Sequence, residues 1–174
     1  MNAVKTARTV EKKFFMGKAI ILLGTNLGDK HQNLAKAVAA ISEHGTLVQT
    51  SGIYESPAWG YDSTHTYFNQ VVVLRTELAP EALLETLLAI ETSLGRLRLG
   101  EGYADRTLDL DVLDYDGIIS DNEHLTLPHP RLHLRLFTLL PMAEVAPAWK
   151  HPVLGLTMDA LLSQCPDTVK PERL

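Results

Sequence analysis

The alternation of apolar and polar positions divides the chain into short strands and amphipathic helices before any chemistry is considered. Residues 18–23 (K-A-I-I-L-L) form a continuous apolar run, the pattern of a central strand buried on both faces. The run ends in Gly24-Thr25-Asn26-Leu27-Gly28-Asp29, a strand-to-helix turn in which Asp29 is placed to cap the first helix. Across residues 30–42, Leu34, Ala37, Val38 and Ile41 recur at helical spacing. Gly45 closes that helix, and the β-branched stretch 46–54 predicts a second strand. Ser56-Pro57-Ala58-Trp59-Gly60-Tyr61 then breaks regular structure, opening a loop to about Thr66. Residues 67–76 read as a third strand. Tyr67, Asn69, Val71 and Val73 share one face, and Phe68, Gln70, Val72 and Leu74 share the other.

A second helix starts at Ala79-Pro80-Glu81, where proline is tolerated and an acid suits the helix dipole. Its stripe of Leu83, Leu84, Leu87, Leu88, Ile90 and Leu94 runs to Gly95, with Glu91 on or beside the buried face. Residues 106–112 (R-T-L-D-L-D-V) alternate with strand period, so Leu108, Leu110 and Val112 oppose Asp109 and Asp111. Residues 115–119 predict a hairpin turn into a short extra strand. Residues 131–145 carry a helical pattern with a break or kink at Pro141, and Thr157 is placed to cap a last helix. The tail after Pro166 is expected to fray. The order β-α-β-β-α-β, then a hairpin strand and C-terminal helices, predicts an α+β fold. It is the split βαβ order of a ferredoxin-like antiparallel sheet with helices on one face. One domain, 16–174, is expected after a flexible N-terminal extension of residues 1–15.

Composition narrows the function classes. A formal net charge of -5 on 174 residues gives no electrostatic footprint for nucleic acid. The single cysteine, Cys165, excludes an internal disulfide and fits a reducing compartment. No apolar run reaches the length of a membrane span, and no signal-peptide pattern is present. The expectation is a monomeric cytoplasmic protein that acts on small molecules, with neither nucleic acid nor membrane as partner.

Chemistry concentrates around the Asp strand. Two carboxylates about 7 Å apart on one strand face repel each other unless a cation lies between them. Hard oxygen ligands of this kind suit Mg2+, which takes its remaining ligands from water and substrate phosphates. A bare D-x-D is more often a half-exposed strand with solvated acids, so its neighbours must decide. Arg96, Arg98 and Arg106 lie within eleven residues, each able to fork onto phosphate, and cations gathered beside paired acids fit metal-bound polyphosphate. Tyr67 and Asn69, two residues apart on one face, can stack on a ring and read its polar edge. A strand end whose Asn pairs with backbone accounts for them equally. Trp59 and Tyr61 either latch a core edge or line a pocket for a flat ligand. His129, between two prolines, reads as structural as readily as functional.

These blocks in this order resemble the 6-hydroxymethyl-7,8-dihydropterin pyrophosphokinase family of folate biosynthesis. The resemblance spans residues 18–147 through I-I-L-L-G-T-N-L-G, S-G-I-Y-E-S-P, Y-F-N-Q-V, G-R-L-R, R-T-L-D-L-D-V, L-T-L-P-H-P and R-L-F. It implies transfer of a diphosphoryl group from ATP to the pterin hydroxymethyl, with release of AMP. It further implies that Asp109 and Asp111 hold two Mg2+ ions and that Arg96 and Arg106 act on the polyphosphate. Arg98, His129 and Arg135 fall at nucleotide or phosphate positions, with Glu91, Tyr103, Val112 and Thr126 also on the ATP side. Tyr67 and Phe137 would sandwich the pterin, while Asn69 and the Ser56-Pro57-Ala58 backbone read its edge. The loops around Trp59 and across 99–105 would be lids. The chain departs from the family pattern at Leu99, Gly102, Tyr103, Ala104, Asp105 and Pro130, which removes at least one loop cation and puts an acid beside Arg106.

Three other readings compete. A nucleotidyltransferase also uses paired aspartates but places a Gly-Ser turn shortly before them, whereas Gly24-Thr25 lies some eighty residues upstream. An RNA-binding or ligand-sensing module on the same fold would want paired sheet aromatics and a basic surface. A degenerate relative would bind nucleotide or pterin without efficient turnover.

Overall fold

The computed structural model describes residues 16–96 and 104–174. It has a mixed α/β architecture built on an antiparallel sheet. The strands are β1 (Gly17–Thr25), β2 (Thr46–Thr50), β3 (Tyr54–Ser56), β4 (Tyr67–Thr76), β5 (Asp109–Tyr115) and β8 (Glu172–Arg173). They run in the order β5-β1-β4-β3-β8, with β2 also on β4. A separate two-stranded ribbon joins β6 (Ser120–Asp121) to β7 (Thr126–Leu127).

Two helices cover one face of the sheet. In α1 (Lys30–Ser42), Asp29 caps the start by accepting from the Gln32 amide at 3.0 Å. In α2 (Pro80–Ser93), the apolar stripe drops Leu83, Leu87 and Ile90 into the core. They meet Ala19, Ile21, Leu23, Phe68, Val72, Leu74, Leu110 and Val112 from the sheet. Each fully buried leucine contributes roughly 2 kcal/mol, so this layer is the main anchor of the sheet. The opposite face is covered by α3 (Leu136–Val145) and α4 (Met158–Gln164), packed on Ile20, Leu22, Val71, Val73 and Leu113. Helices therefore lie on both faces, because the C-terminal pair has its own apolar stripe to bury.

Several boundaries differ from the sequence expectation. β1 runs on through Gly24 and Thr25, so the turn lies later, at residues 26–29, with Gly28 at φ 69°. The second strand is split between β2 and β3 because Ser51 turns inward and accepts the Val71 amide through Oγ at 2.9 Å. Asp116 and Gly117, both at positive φ, make the tight turn after β5. The chain leaving that turn pairs with β7 instead of returning along β5. The break in the segment 131–145 comes at Arg135, whose extended backbone separates a 3-10 turn from α3, and the helix continues through Pro141. The tail does not fray: β8 pairs with β3, and Arg173 Nε donates to Glu144 at 2.7 Å.

The antiparallel registers explain why one end of the sheet carries the polar residues. Asp109 pairs with Gly24, and Gly24 pairs with Asn69, so three neighbouring strands place them in one row. Two strand spacings separate Asp109 from Asn69 by roughly 10 Å, with Gly24 between. Leu110 and Val112 on the reverse face fix this orientation, since a one-residue slip would bury both aspartates among leucines.

Candidate active site

The row opens into a cleft between the sheet end, the 57–66 loop and the start of α3. Asp109, Asp111, Arg106 and Arg135 line one side, and Ser56, Pro57, Tyr67, Asn69 and Phe137 line the other. Leu22 and Gly24 form its floor. A Cβ on Gly24 would meet Asn69 Oδ1 at 3.4 Å and Asp109 Cβ at 3.8 Å, so glycine keeps the floor open.

The acidic end is tied to arginines from two directions. Gly95, at φ 90°, ends α2, and the Arg96 amide turns back to the Glu91 carbonyl at 3.0 Å. This C-terminal turn swings the Arg96 guanidinium onto both Glu91 and Asp109, at 2.6 Å from Asp109 Oδ1. Arg106 Nη1 donates to Asp109 Oδ2 at 2.8 Å. Glu91 is buried, accepting the Leu110 amide at 2.7 Å, so it locks α2 to β5 and orients Arg96. Asp111 lies deeper. Burial first, then the adjacent Asp109 charge, pushes its carboxyl up to about 7, while Arg135 and Arg106 oppose the rise only in part. Such a carboxylate is short of positive charge.

Arg135 is nearly buried, with its guanidinium carbon 4.4 Å from the Trp59 ring centroid and 5.5 Å from that of Phe137. The loop tryptophan thus covers an arginine that also faces the aspartates. His129 is pushed down to about 4 by burial and by Arg135. Its Nδ1 accepts the Arg131 amide at 3.2 Å, so the neutral ring carries its proton on Nε2. At the other end of the cleft, Asn69 donates to Ser56 Oγ at 3.1 Å, fixing the amide across β3 and β4. Tyr67 hydrogen-bonds Tyr61 at 2.7 Å.

The structure brings together Asp109, Asp111, Arg96, Arg106, Arg135, Ser56, Pro57, Tyr67, Asn69 and Phe137. Glu91 joins them through Arg96. Val112 points its side chain into the core at 3% exposure, leaving only its backbone available. Thr126 sits on β7, and His129 comes two residues beyond that strand, its amide bonded to the Leu113 carbonyl at 2.8 Å. Ala58 adjoins Pro57 in the loop without lining the cleft. Arg98, Tyr103 and Gly102 lie outside the described residues, as does the 1–15 extension.

Sequence reasoning missed the role of Asn26 and Asp105. The Asn26 amide accepts the Arg106 backbone N–H at 2.7 Å and donates to Asp105 at the same distance. Asp105 also accepts from Tyr61, Ser63 and His65 of the loop, and these bonds, led by Ser63, hold its carboxyl down at about 2. Burial, followed by Tyr67 and then Asp105, raises the Tyr61 phenol far above its ordinary value. An acid beside Arg106 was the available signal, but its loop partners are some forty residues away and invisible to local patterning.

The chain is similar to proteins of one family. A family model described as 7,8-dihydro-6-hydroxymethylpterin-pyrophosphokinase (HPPK) matches residues 20–147. A 2-amino-4-hydroxy-6-hydroxymethyldihydropteridine pyrophosphokinase of Porphyromonas gingivalis is 39% identical over 141 residues, covering 79% of this chain and 95% of that protein. Its namesake in Synechocystis is 41% identical over 148 residues, covering 84% of this chain and 75% of that one. The crystal structure of Plasmodium falciparum HPPK-DHPS wild type with SDX-DHP shares the fold at TM-score 0.69 and 16% identity. That match covers 88% of this chain but 45% of the solved one, so this chain spans less than half the length of that protein. With the family model covering most of its length and these relatives near 40% identity, the chain belongs to the 7,8-dihydro-6-hydroxymethylpterin-pyrophosphokinase family.

Proposed function

We propose that this protein transfers the diphosphoryl group of ATP to the hydroxymethyl of 6-hydroxymethyl-7,8-dihydropterin, releasing AMP, in an Mg2+-dependent reaction. The observation that carries the reading is the row across the sheet end. A carboxylate and arginine cluster faces an aromatic and amide wall roughly 10 Å away, a distance that suits a polyphosphate meeting a flat heterocycle. The strand order β5-β1-β4-β2 supports the ferredoxin-like reading of the core.

Asp109 and Asp111 fit Mg2+ on their own chemistry. Two hard carboxylates share an open cleft, and the raised Asp111 carboxyl marks a deficit of positive charge there. Asp109 and Asp111 would hold the metal, which would supply positive charge against the nucleotide phosphates. The protein's own groups do the remaining work. Arg96 and Arg106, already held on Asp109, are placed to take phosphate oxygens in turn. Arg135, stacked between Trp59 and Phe137, brings a desolvated cation to the middle of the cleft. Neutral His129 offers an Nε2–H donor, along with Thr126 and the Val112 backbone on the nucleotide side. Tyr67 and Phe137 stack on the pterin, and Asn69 with the Ser56-Pro57-Ala58 segment reads its polar edge. Catalysis then comes from positioning and charge stabilisation, since phosphoryl transfer asks little covalent help of the protein.

The test is AMP release from ATP and the pterin substrate, in wild type and in Asp109→Ala and Asp111→Ala. Loss of AMP in both variants is expected, on the order of 10³-fold or more. Near-wild-type turnover in both, or release of pyrophosphate, would defeat the assignment. Substrate binding without AMP release in the wild type would favour a degenerate binding protein.

A further inference from the structure

We propose that Asp105 is a positioning residue that latches the 57–66 loop to the Arg106 segment, so that the heterocycle wall and a phosphate arginine are set as one unit. The proposal rests on the pyrophosphokinase reading of the cleft for its kinetic consequence, but not for its geometry.

One carboxylate gathers four donors from two separate parts of the chain. Asp105 Oδ1 accepts from Asn26 Nδ2 at 2.7 Å, Tyr61 OH at 3.0 Å and Ser63 Oγ at 2.6 Å. Oδ2 faces His65 Nδ1 at 2.9 Å. Three of these donors stand on the loop, and the fourth, Asn26, directly follows β1. Asn26 uses its other side-chain atom, Oδ1, to accept the Arg106 amide, so the residue after Asp105 is clamped by the same amide. Each tyrosine hydroxyl has one proton. Tyr61 donates it to Asp105, so the bond between the two phenols must be donated by Tyr67. The Asp105 charge therefore orients a chain, Tyr67 to Tyr61 to Asp105, and Tyr67 is a wall of the cleft. On the other side, Arg106 reaches Asp109 Oδ2 at 2.8 Å. A single acid thus sets both walls, and without it the loop keeps few ties to the 104–106 segment.

Loop ordering of this kind lowers the entropic cost of binding, because the wall is assembled before the ligand arrives. Its loss should weaken capture of the flat substrate more than capture of ATP, because three of Asp105's four donors stand on the loop, whereas Arg106 stays tied to Asn26 and Asp109, and Arg96, Glu91 and His129 bond none of the four donors. The experiment uses the full chain. In Asp105→Ala, the KM for the pterin is expected to rise at least tenfold while the KM for ATP stays within threefold. Asp105→Asn, which keeps Oδ1 for Asn26, Tyr61 and Ser63, should hold the pterin KM within threefold of wild type. Tyr61→Phe, which leaves Asp105 and the loop serines in place, should reproduce part of the KM rise. Amide hydrogen exchange without substrate should show residues 58–66 exchanging at least tenfold faster in Asp105→Ala, with β1 and β4 unchanged. An unaltered pterin KM alongside a lowered Tm would overturn the proposal, as would equal loss in the Asn and Ala variants. Unchanged loop exchange would overturn the latch itself. A wild type that neither binds nor uses the pterin would defeat the functional reading instead, and the exchange measurement alone would then decide the latch.

Discussion

Asp111→Asn should stabilise the metal-free protein at alkaline pH and leave it unchanged in acid. The Asp111 carboxyl is raised from 3.8 to about 7, by burial and then by the Asp109 charge. A folded-state value above the unfolded one means that the native protein holds the proton more tightly. Below about pH 4 both states are protonated, and the residue is neutral in its effect. As pH rises through the window from about 4 to 7, the unfolded state ionises freely while the folded state resists, so native stability falls. Above that window both are ionised and the loss is complete. At about 1.4 kcal/mol per pH unit, the ceiling is roughly 4 kcal/mol. Part of the side chain faces the cleft, where water screens the charge, so about half that value is expected. Asparagine has the same shape and no proton to lose. Its advantage should be about 2 kcal/mol at pH 8, a Tm gain of roughly 4–8 °C for a chain of this size, shrinking to nothing near pH 4. Thermal unfolding in chelator at several pH values measures it. A gain that does not vary with pH, or a variant less stable than wild type at pH 8, would refute the reasoning. Magnesium with a non-hydrolysable nucleotide should raise the Tm of the wild type at pH 8 by more than that of the variant, because only the wild type offers the metal a second charged carboxylate.

Two further substitutions test how the site is braced. Glu91→Ala strands the Leu110 amide and takes from Arg96 its buried partner, which should cost about 2–4 kcal/mol; Glu91→Gln, which still accepts from Leu110, should recover part of it in urea unfolding. A loss below about 0.5 kcal/mol would show that α2 and β5 hold together without this carboxylate. Gly45→Ala should destabilise by about 1–3 kcal/mol, since the new Cβ would lie 2.2 Å from the Arg75 carbonyl, and that backbone can retreat only by disturbing the β2–β4 pairing. A neutral result in thermal unfolding would mean the turn shifts freely.

The parts of the fold that were legible from sequence are those whose partners are close in the chain or whose period is unbroken. β4 and both faces of it emerge from a clean alternation over ten residues, and α1 is bounded by a cap and a glycine that act locally. The Asp strand was readable because Leu108, Leu110 and Val112 oppose the acids without exception, and the bulge comes only after Val112, returning Tyr115 to their core. The features that could not be read depend on distant partners. Ser51 breaks the second strand by bonding Val71, twenty residues away. Gly24 looks like a turn residue but serves as a floor because Asn69 and Asp109 flank it across two strands. Glu91 has the pattern of a helix-edge acid, and only the arrival of Arg96 and Leu110 shows why it can be buried. The paired Arg96 and Arg106 sites on one carboxylate arise from a turn and a strand meeting, which spacing alone does not specify.

The two-residue β8 also governs how the molecule meets its neighbours in solution. β3 leads straight into the 57–66 loop, and without β8 its outer edge would present unpaired amides and carbonyls. Glu172 and Arg173 occupy that edge with one acid and one base, and the Leu174 amide adds a bond to the Ile53 carbonyl at 2.9 Å. A short, charged border strand is a poor template for a further strand, so it guards the sheet against edge-to-edge stacking between copies. Crowded conditions, in which an open edge beside a long loop would invite aggregation, are where this border matters most.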